Sequence, residues 1–160
     1  MTMKKAVSIL TIATLCGAAG AAYAAEQGSL PRNYEKWEKS KARIITDKKS
    51  MFYGIHYIYV NKKAMPTYKN GGANYPAGSR FVAVNYSIKE EGGKQVPGKK
   101  TMIVVMQRDK KQPETGGWRF VGFTPDGKPS GLDGKRDCFG CHEKDAKERG
   151  FVLSRYADFK

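Results

Sequence analysis

The chain has 160 residues and is strongly basic, with 29 Lys and Arg against 15 Asp and Glu, a net charge of +14, and 40% hydrophobic residues. That length suits one domain with a modest core and excludes a large multi-domain assembly. The charge is scattered as doublets at expected turns (Lys48-Lys49, Lys62-Lys63, Lys99-Lys100, Lys110-Lys111). It does not form one face interleaved with stacking aromatics, which excludes a nucleic-acid partner and leaves solubility, acidic partner proteins, anionic lipid surfaces or small anions.

Residues 1–24 read as a secretory signal peptide. Lys4 and Lys5 form a positive start, Ala6 to Gly17 is apolar, and Ala22-Tyr23-Ala24 carries the small-residue pattern of a cleavage site. The apolar run is too short to span a bilayer, although a retained N-terminal anchor is the alternative. Cleavage after Ala24 leaves residues 25–160 as one periplasmic domain. It removes Cys16 together with two of the 29 basic residues, so 27 against 15 gives +12.

Along that domain, Asn33 to Ala42 reads as a short helix with Asn33 as its cap. Met51 to Val60 (MFYGIHYIYV) is dense in aromatic and β-branched residues and predicts a strand. Asn61 caps a helical turn that Pro66 keeps short. Ser79 to Ile88, Lys100 to Arg108 and Trp118 to Thr124 predict three more strands, separated by glycine-rich turns such as Glu91-Gly92-Gly93. Lys135 to Arg149 is polar and helix-compatible, and Phe151 to Tyr156 predicts a final strand. Short connections imply antiparallel pairing. The expected fold is α+β, mainly β: a curved antiparallel sheet with short helices and a C-terminal attachment helix.

That helix carries Cys138-Phe139-Gly140-Cys141-His142, a C-x-x-C-H motif. In an exported protein two remaining cysteines would ordinarily form a disulfide. The spacing and the adjacent histidine argue otherwise. Two thiols three residues apart on a helical turn can each add to a porphyrin vinyl group, and the next residue then places its imidazole under the iron. A redox C-x-x-C has no need of that histidine. A zinc site needs a fourth ligand, and His56 is the only other histidine. The motif therefore predicts one haem c, held by thioethers to Cys138 and Cys141, with His142 as proximal ligand. No Met or His follows His142, so a sixth ligand would come from His56, Met51, Met65, Met102, Met106 or a lysine. The strand-rich chain excludes a four-helix cytochrome.

Alternation places Phe52, Gly54 and His56 on one face of the first strand, Phe81 and Ala83 on one face of the second, and Met102, Val104 and Met106 on one face of the third. If these faces meet over the iron, the pocket is dry and aromatic. From the residues alone, Phe52 and Phe81 read first as ordinary core residues and second as pocket wall. His56 reads as a rim group, a core residue or an iron ligand, and Lys69 as a loop residue.

The stretches His56-x-Ile58-Tyr59-Val60-Asn61, Tyr75-Pro76-x-Gly78-Ser79, Arg108-Asp109, Thr115-Gly116-Gly117-Trp118-x-Phe120 and the C-x-x-C-H segment with Phe151-Val152-x-Ser154 resemble the cytochrome P-460 family. The resemblance runs from about Asn33 to Tyr156 and implies a large antiparallel sheet, often in a homodimer. The family has a hydroxylamine-oxidising branch, with a lysine cross-linked to the porphyrin, and a branch without the cross-link, cytochrome c-prime-beta, which binds nitric oxide and carbon monoxide. The resemblance puts Ala83 at the cross-link position, His56 at or near a distal arginine and Val104 near a distal acid. Phe52 and Phe81 fall where the gas-binding branch caps the iron. It implies a nitric oxide-binding, electron-exchanging cytochrome with no catalytic residues; the basic charge of the chain adds the expectation of an acidic redox partner. The alternatives are a cross-linked hydroxylamine-oxidising enzyme and a simple electron carrier.

Overall fold

The computed structural model describes residues 28–159; the expected leader, residues 1–24, lies outside the described residues. Six strands form one antiparallel sheet: β1 (Glu38–Lys39), β2 (Arg43–Ile45), β3 (Gly54–Val60), β4 (Arg80–Glu91), β5 (Lys94–Arg108) and β6 (Trp118–Phe123). Their spatial order is β1-β3-β4-β5-β6, with β2 also paired to β3. The open, curled sheet matches the expected class. No helix among the described residues is long and apolar enough to cross a membrane.

Local chemistry sets the longest hairpin. Glu91 pairs with Lys94, leaving Gly92 and Gly93 as a two-residue loop with φ of 56° and 73°. Such a loop needs two left-handed residues in succession, which glycine adopts without steric cost. Farther along, the β4–β5 register shifts between Asn85 and Tyr86 and again between Tyr86 and Ile88. Each irregularity increases local twist and helps curl the sheet.

The two faces of the sheet carry separate cores. Ile55, Tyr57 and Tyr59 alternate with His56, Ile58 and Val60 along β3. Across the strands, Val60 stands opposite Phe81, Phe81 opposite Met106, and Met106 opposite Phe120. The next row is Ile58, Ala83, Val104 and Gly122. This face builds the larger cluster, which includes Tyr68, Tyr75, Trp118, Cys138, Phe139 and Val152. Tyr59, Val82, Val84, Ile103, Val105 and Phe123 build the second cluster on the opposite face, under Leu30, Tyr34 and Trp37.

Several local expectations change. The helix over Asn33 to Ala42 is instead a 3-10 turn, Tyr34–Lys36, followed by β1. Asn33 sits at φ 57° and makes no side-chain cap, and Glu38 and Lys39 pair with Val60 and Tyr59. Sheet pairing outweighs the weak local propensity. The first long strand starts at Gly54 rather than Met51, because Ser50 holds a turn by accepting the Phe52 N–H on its hydroxyl and the Tyr53 N–H on its carbonyl. Asn61 does organise the next connection: its Oδ1 accepts from both Ala64 N–H and Arg80 N–H, ahead of α1 (Met65–Lys69). The strand expected from Phe151 to Tyr156 is absent. Gly150 and Phe151 both take positive φ, 61° and 67°, which breaks an extended path, and the tail ends in a 3-10 turn at Tyr156–Phe159.

Candidate functional site

The C-x-x-C-H residues lie on a continuous helical segment of changing pitch. Asp133 caps its start, accepting from Lys135 N–H and Arg136 N–H. Gly134–Phe139 is a π-helical stretch, α2 follows at Gly140–Ala146, and a 3-10 turn closes it at Lys147–Arg149. Wide π turns are uncommon and recur at functional sites. The pitch change falls within the motif, with Cys138 buried in the π stretch and Cys141 exposed on α2.

His142, one residue on, is oriented by two contacts. Its Nδ1 lies 2.7 Å from the main-chain oxygen of Phe151. The Phe120 ring meets the imidazole edge-on at 4.8 Å between centroids. An Nδ1–H donated to a carbonyl fixes the tautomer and leaves Nε2 as the free lone pair, the arrangement of a metal-ligating histidine. Desolvation holds the imidazole pKa below its ordinary value, with the Phe151 carbonyl opposing that shift, so the neutral ligand form is favoured. The Phe151 carbonyl is itself placed by a strained backbone. Phe151 is a non-glycine residue in the left-handed region, and Trp118 Nε1 donates to the Gly150 oxygen at 2.8 Å. Strain of this kind costs roughly 1–3 kcal/mol and persists only where surrounding packing enforces it.

Over the larger-cluster face lies a cavity of about 970 Å³, within the range of roughly 300–1,000 Å³ that cofactor sites occupy. Phe52, Ile58, Phe81, Ala83, Val104, Met106 and Phe120 form apolar wall, and Cys138 and His142 lie on the same cavity. Of the residues expected to attach the haem or form its pocket (Phe52, His56, Phe81, Ala83, Val104, Cys138, Cys141 and His142), only Cys141 is off this lining. Phe81 is both core and wall: its ring packs edge-on against Tyr68, Tyr75 and Trp118 at 5.3, 5.5 and 6.0 Å. Phe52 reaches the cavity from the turn before β3 and is only partly buried.

The cavity sorts the possible sixth ligands: His56 and Met106 line it, whereas Met51, Met65 and Met102 do not. Lys69 lies outside the lining too, paired with Glu38 at 3.2 Å. Lys41 is the one lysine on the wall. Sequence reasoning did not anticipate the polar part, formed by Ser40 to Arg43 and by the tail through Asp158. These segments have no internal periodicity; only the tertiary path of the chain carries them to the cavity.

Two observations discriminate between chemistries. Burial, with the Asp137 carboxylate adding to it, pushes the Cys138 thiol up to about 12. A redox-active C-x-x-C needs an accessible thiolate near neutral pH, which this thiol does not supply. Among the described residues, no group of three or more His, Cys, Asp or Glu is placed to hold a metal ion by itself. The motif is thus not completed into a zinc site.

A mainly apolar sheet face walling a large cavity, with C-x-x-C-H beside it and the histidine's Nε2 left free, defines a haem-binding cytochrome. The family model for Cytochrome P460 matches residues 31–154. The chain belongs to the cytochrome P460 family, and the family implies a c-type haem. No curated protein matches the chain.

Proposed function

We propose that the protein is a periplasmic monohaem cytochrome that binds nitric oxide, and carbon monoxide as its analogue, for scavenging or sensing coupled to electron exchange. Cys138 and Cys141 hold the haem through thioethers, and His142 ligates its iron. The haem supplies an iron centre that takes a diatomic ligand and exchanges electrons. The chain supplies the rest. Phe151 orients His142 through its carbonyl, and Phe52 and Phe81 crowd the space over the sheet. Ala83, Val104 and Ile58 keep water from that wall.

One observation carries the reading: Ala83 and Val104 both line the cavity, so the positions matched to a cross-linking lysine and a distal acid hold apolar side chains. The cross-link and the distal acid that the resemblance assigns to the hydroxylamine-oxidising branch are therefore not at those positions. The alternative retains one argument, since Lys41 reaches the cavity. Mass spectrometry of the haem peptide decides that point, because a third covalent link through a lysine supports the enzyme. An anaerobic ferrous spectrum with and without nitric oxide tests the main reading. A five-coordinate high-spin haem that reacts with the gas supports it. A six-coordinate low-spin haem without added ligand supports a simple electron carrier, with His56 or Met106 as the sixth ligand.

Export by cleavage after Ala24 and an acidic redox partner belong to the same proposal, supported by the N-terminal sequence and the net charge of +12 left by that cleavage. Homodimer formation would cover Ile44, Met51 and Tyr53, apolar side chains left 42%, 47% and 38% exposed.

A further inference from the structure

His56 is a polar residue on the sheet side of the cavity, beside Arg43 of β2. It occupies β3 two residues from Ile58, opposite Arg43 on β2 and Asn85 on β4. Its Nδ1 is buried without a hydrogen-bond partner, yet the residue lines the cavity. A neutral imidazole carries one N–H and one lone pair, and an orphaned acceptor is better tolerated in a protein interior than an orphaned donor. The lone pair therefore belongs on shut-off Nδ1 and the proton on Nε2, the nitrogen able to reach an occupant of the cavity. Burial and the neighbouring Arg43 charge keep the ring neutral, against the opposing effect of Asp158.

The charged groups on the same lining do not oppose that role. Lys41, Arg43, Arg149 and Arg155 stand against Asp145 and Asp158, four cations to two anions. None of the four cations belongs to an ion pair among the described residues. Arg149 donates instead to the Asp145 carbonyl at 2.9 Å. The two cations in excess match the two propionates that a haem would bring, so the lining adds no net negative charge to repel a small anion.

We propose that His56 is the hydrogen-bond donor of this cavity and that its Nε2–H holds small ligands bearing negative charge, a contact that neutral carbon monoxide barely uses. The proposal rests on the haem-site reading and changes its ligand range. An apolar cap alone would favour uncharged diatomics. A cap with one donor would also retain anions, which would accept from Nε2–H.

The test uses the ferric holoprotein titrated with fluoride at fixed pH 8, followed by absorbance, in wild type, His56→Leu and His56→Gln. A charge-assisted hydrogen bond predicts at least about a 10-fold loss of fluoride affinity in His56→Leu. His56→Gln, which keeps a donor, should stay within about threefold of wild type, while ferrous carbon monoxide affinity changes much less in either variant. The proposal is overturned by equal fluoride affinity in wild type and His56→Leu, or by no fluoride binding in wild type. A low-spin ferric spectrum in wild type that turns high-spin in both variants also overturns it, because His56 would then be the iron ligand. Should His56→Leu not fold, the comparison of wild type with His56→Gln and His56→Ala carries the same readout. Failure of the gas-binding reading is separately visible as absence of a ferrous carbon monoxide complex in wild type.

Discussion

The imidazole Nδ1 of His142 and the carbonyl oxygen of Phe151 stand 2.7 Å apart, joining the attachment helix to the tail that leaves it. This contact depends on the sharp turn at Gly150 and Phe151, because only that backbone path returns the carbonyl to the helix. Gly150 has φ 61°, and a Cβ there would lie 2.1 Å from the Ala73 carbonyl.

Gly150→Ala should therefore cost at least about 2 kcal/mol from left-handed strain and the backbone clash. Urea unfolding measures that loss. If the turn aims the Phe151 carbonyl, the same variant also changes the reduction potential of the holoprotein, since a histidine's hydrogen bond tunes its basicity as a ligand. An unchanged potential in a destabilised variant would confine the turn to a folding role.

The two cysteines should behave alike in chemistry and differently in folding. Cys138→Ser and Cys141→Ser are each expected to retain haem through one thioether, and the double variant to release it on denaturation with acid. Only the Cys138 change removes a buried, apolar sulfur, so it is expected to be the more destabilising of the two. Denaturing mass spectrometry and thermal unfolding check the two halves of this expectation.

Phe81 and Phe52 should separate core from cap. Phe81→Ala removes a ring packed on three aromatic neighbours, and is expected to cost about 3–5 kcal/mol. Phe52→Ala removes a half-buried ring and should cost about 1–2 kcal/mol. Both are expected to raise the ferrous carbon monoxide association rate, which stopped-flow mixing measures. A rate unaltered in Phe52→Ala would remove that residue from the cap.

Acid stability follows from His56. Burial, then the Arg43 charge, push its pKa down from 6.5 to about 4 in the folded chain. Between those values the unfolded state binds more protons, so stability rises with pH. The contribution is complete above about 6.5, falls as acid is added and is gone below about 4, a span worth up to about 3 kcal/mol. Urea midpoints of wild type between pH 7 and pH 4 should show this slope, and His56→Leu should flatten it.

Much of this was legible in the sequence because it is local or periodic. The four long strands follow from aromatic and β-branched alternation, and the same alternation placed His56, Phe81, Ala83, Val104 and Met106 on what became one wall. Gly92 and Gly93 announced the longest hairpin. The short edge strands β1 and β2 were not legible, since two or three residues carry no period and Asn33 resembles a helix cap. Nor was the lining from Val152 to Asp158: Phe151 carries no chemical sign that it will take a left-handed φ. That conformation is imposed by the Ala146 carbonyl, which accepts its N–H, and by the Trp118 side chain held at Gly150.

The two separate cores have a consequence for variation in this chain. Neighbouring residues of β4 answer to unrelated demands: Val82 and Val84 serve packing alone, while Phe81 and Ala83 also meet whatever the cavity holds. Exchanges at the first pair can drift with stability as their main constraint, whereas exchanges at the second alter chemistry as well. A single-residue insertion in β4 would interchange the two sets wholesale, burying a cavity surface in the opposite core. Lineages of this domain should therefore accept length changes at the Gly92-Gly93 tip and reject them between Arg80 and Asn85.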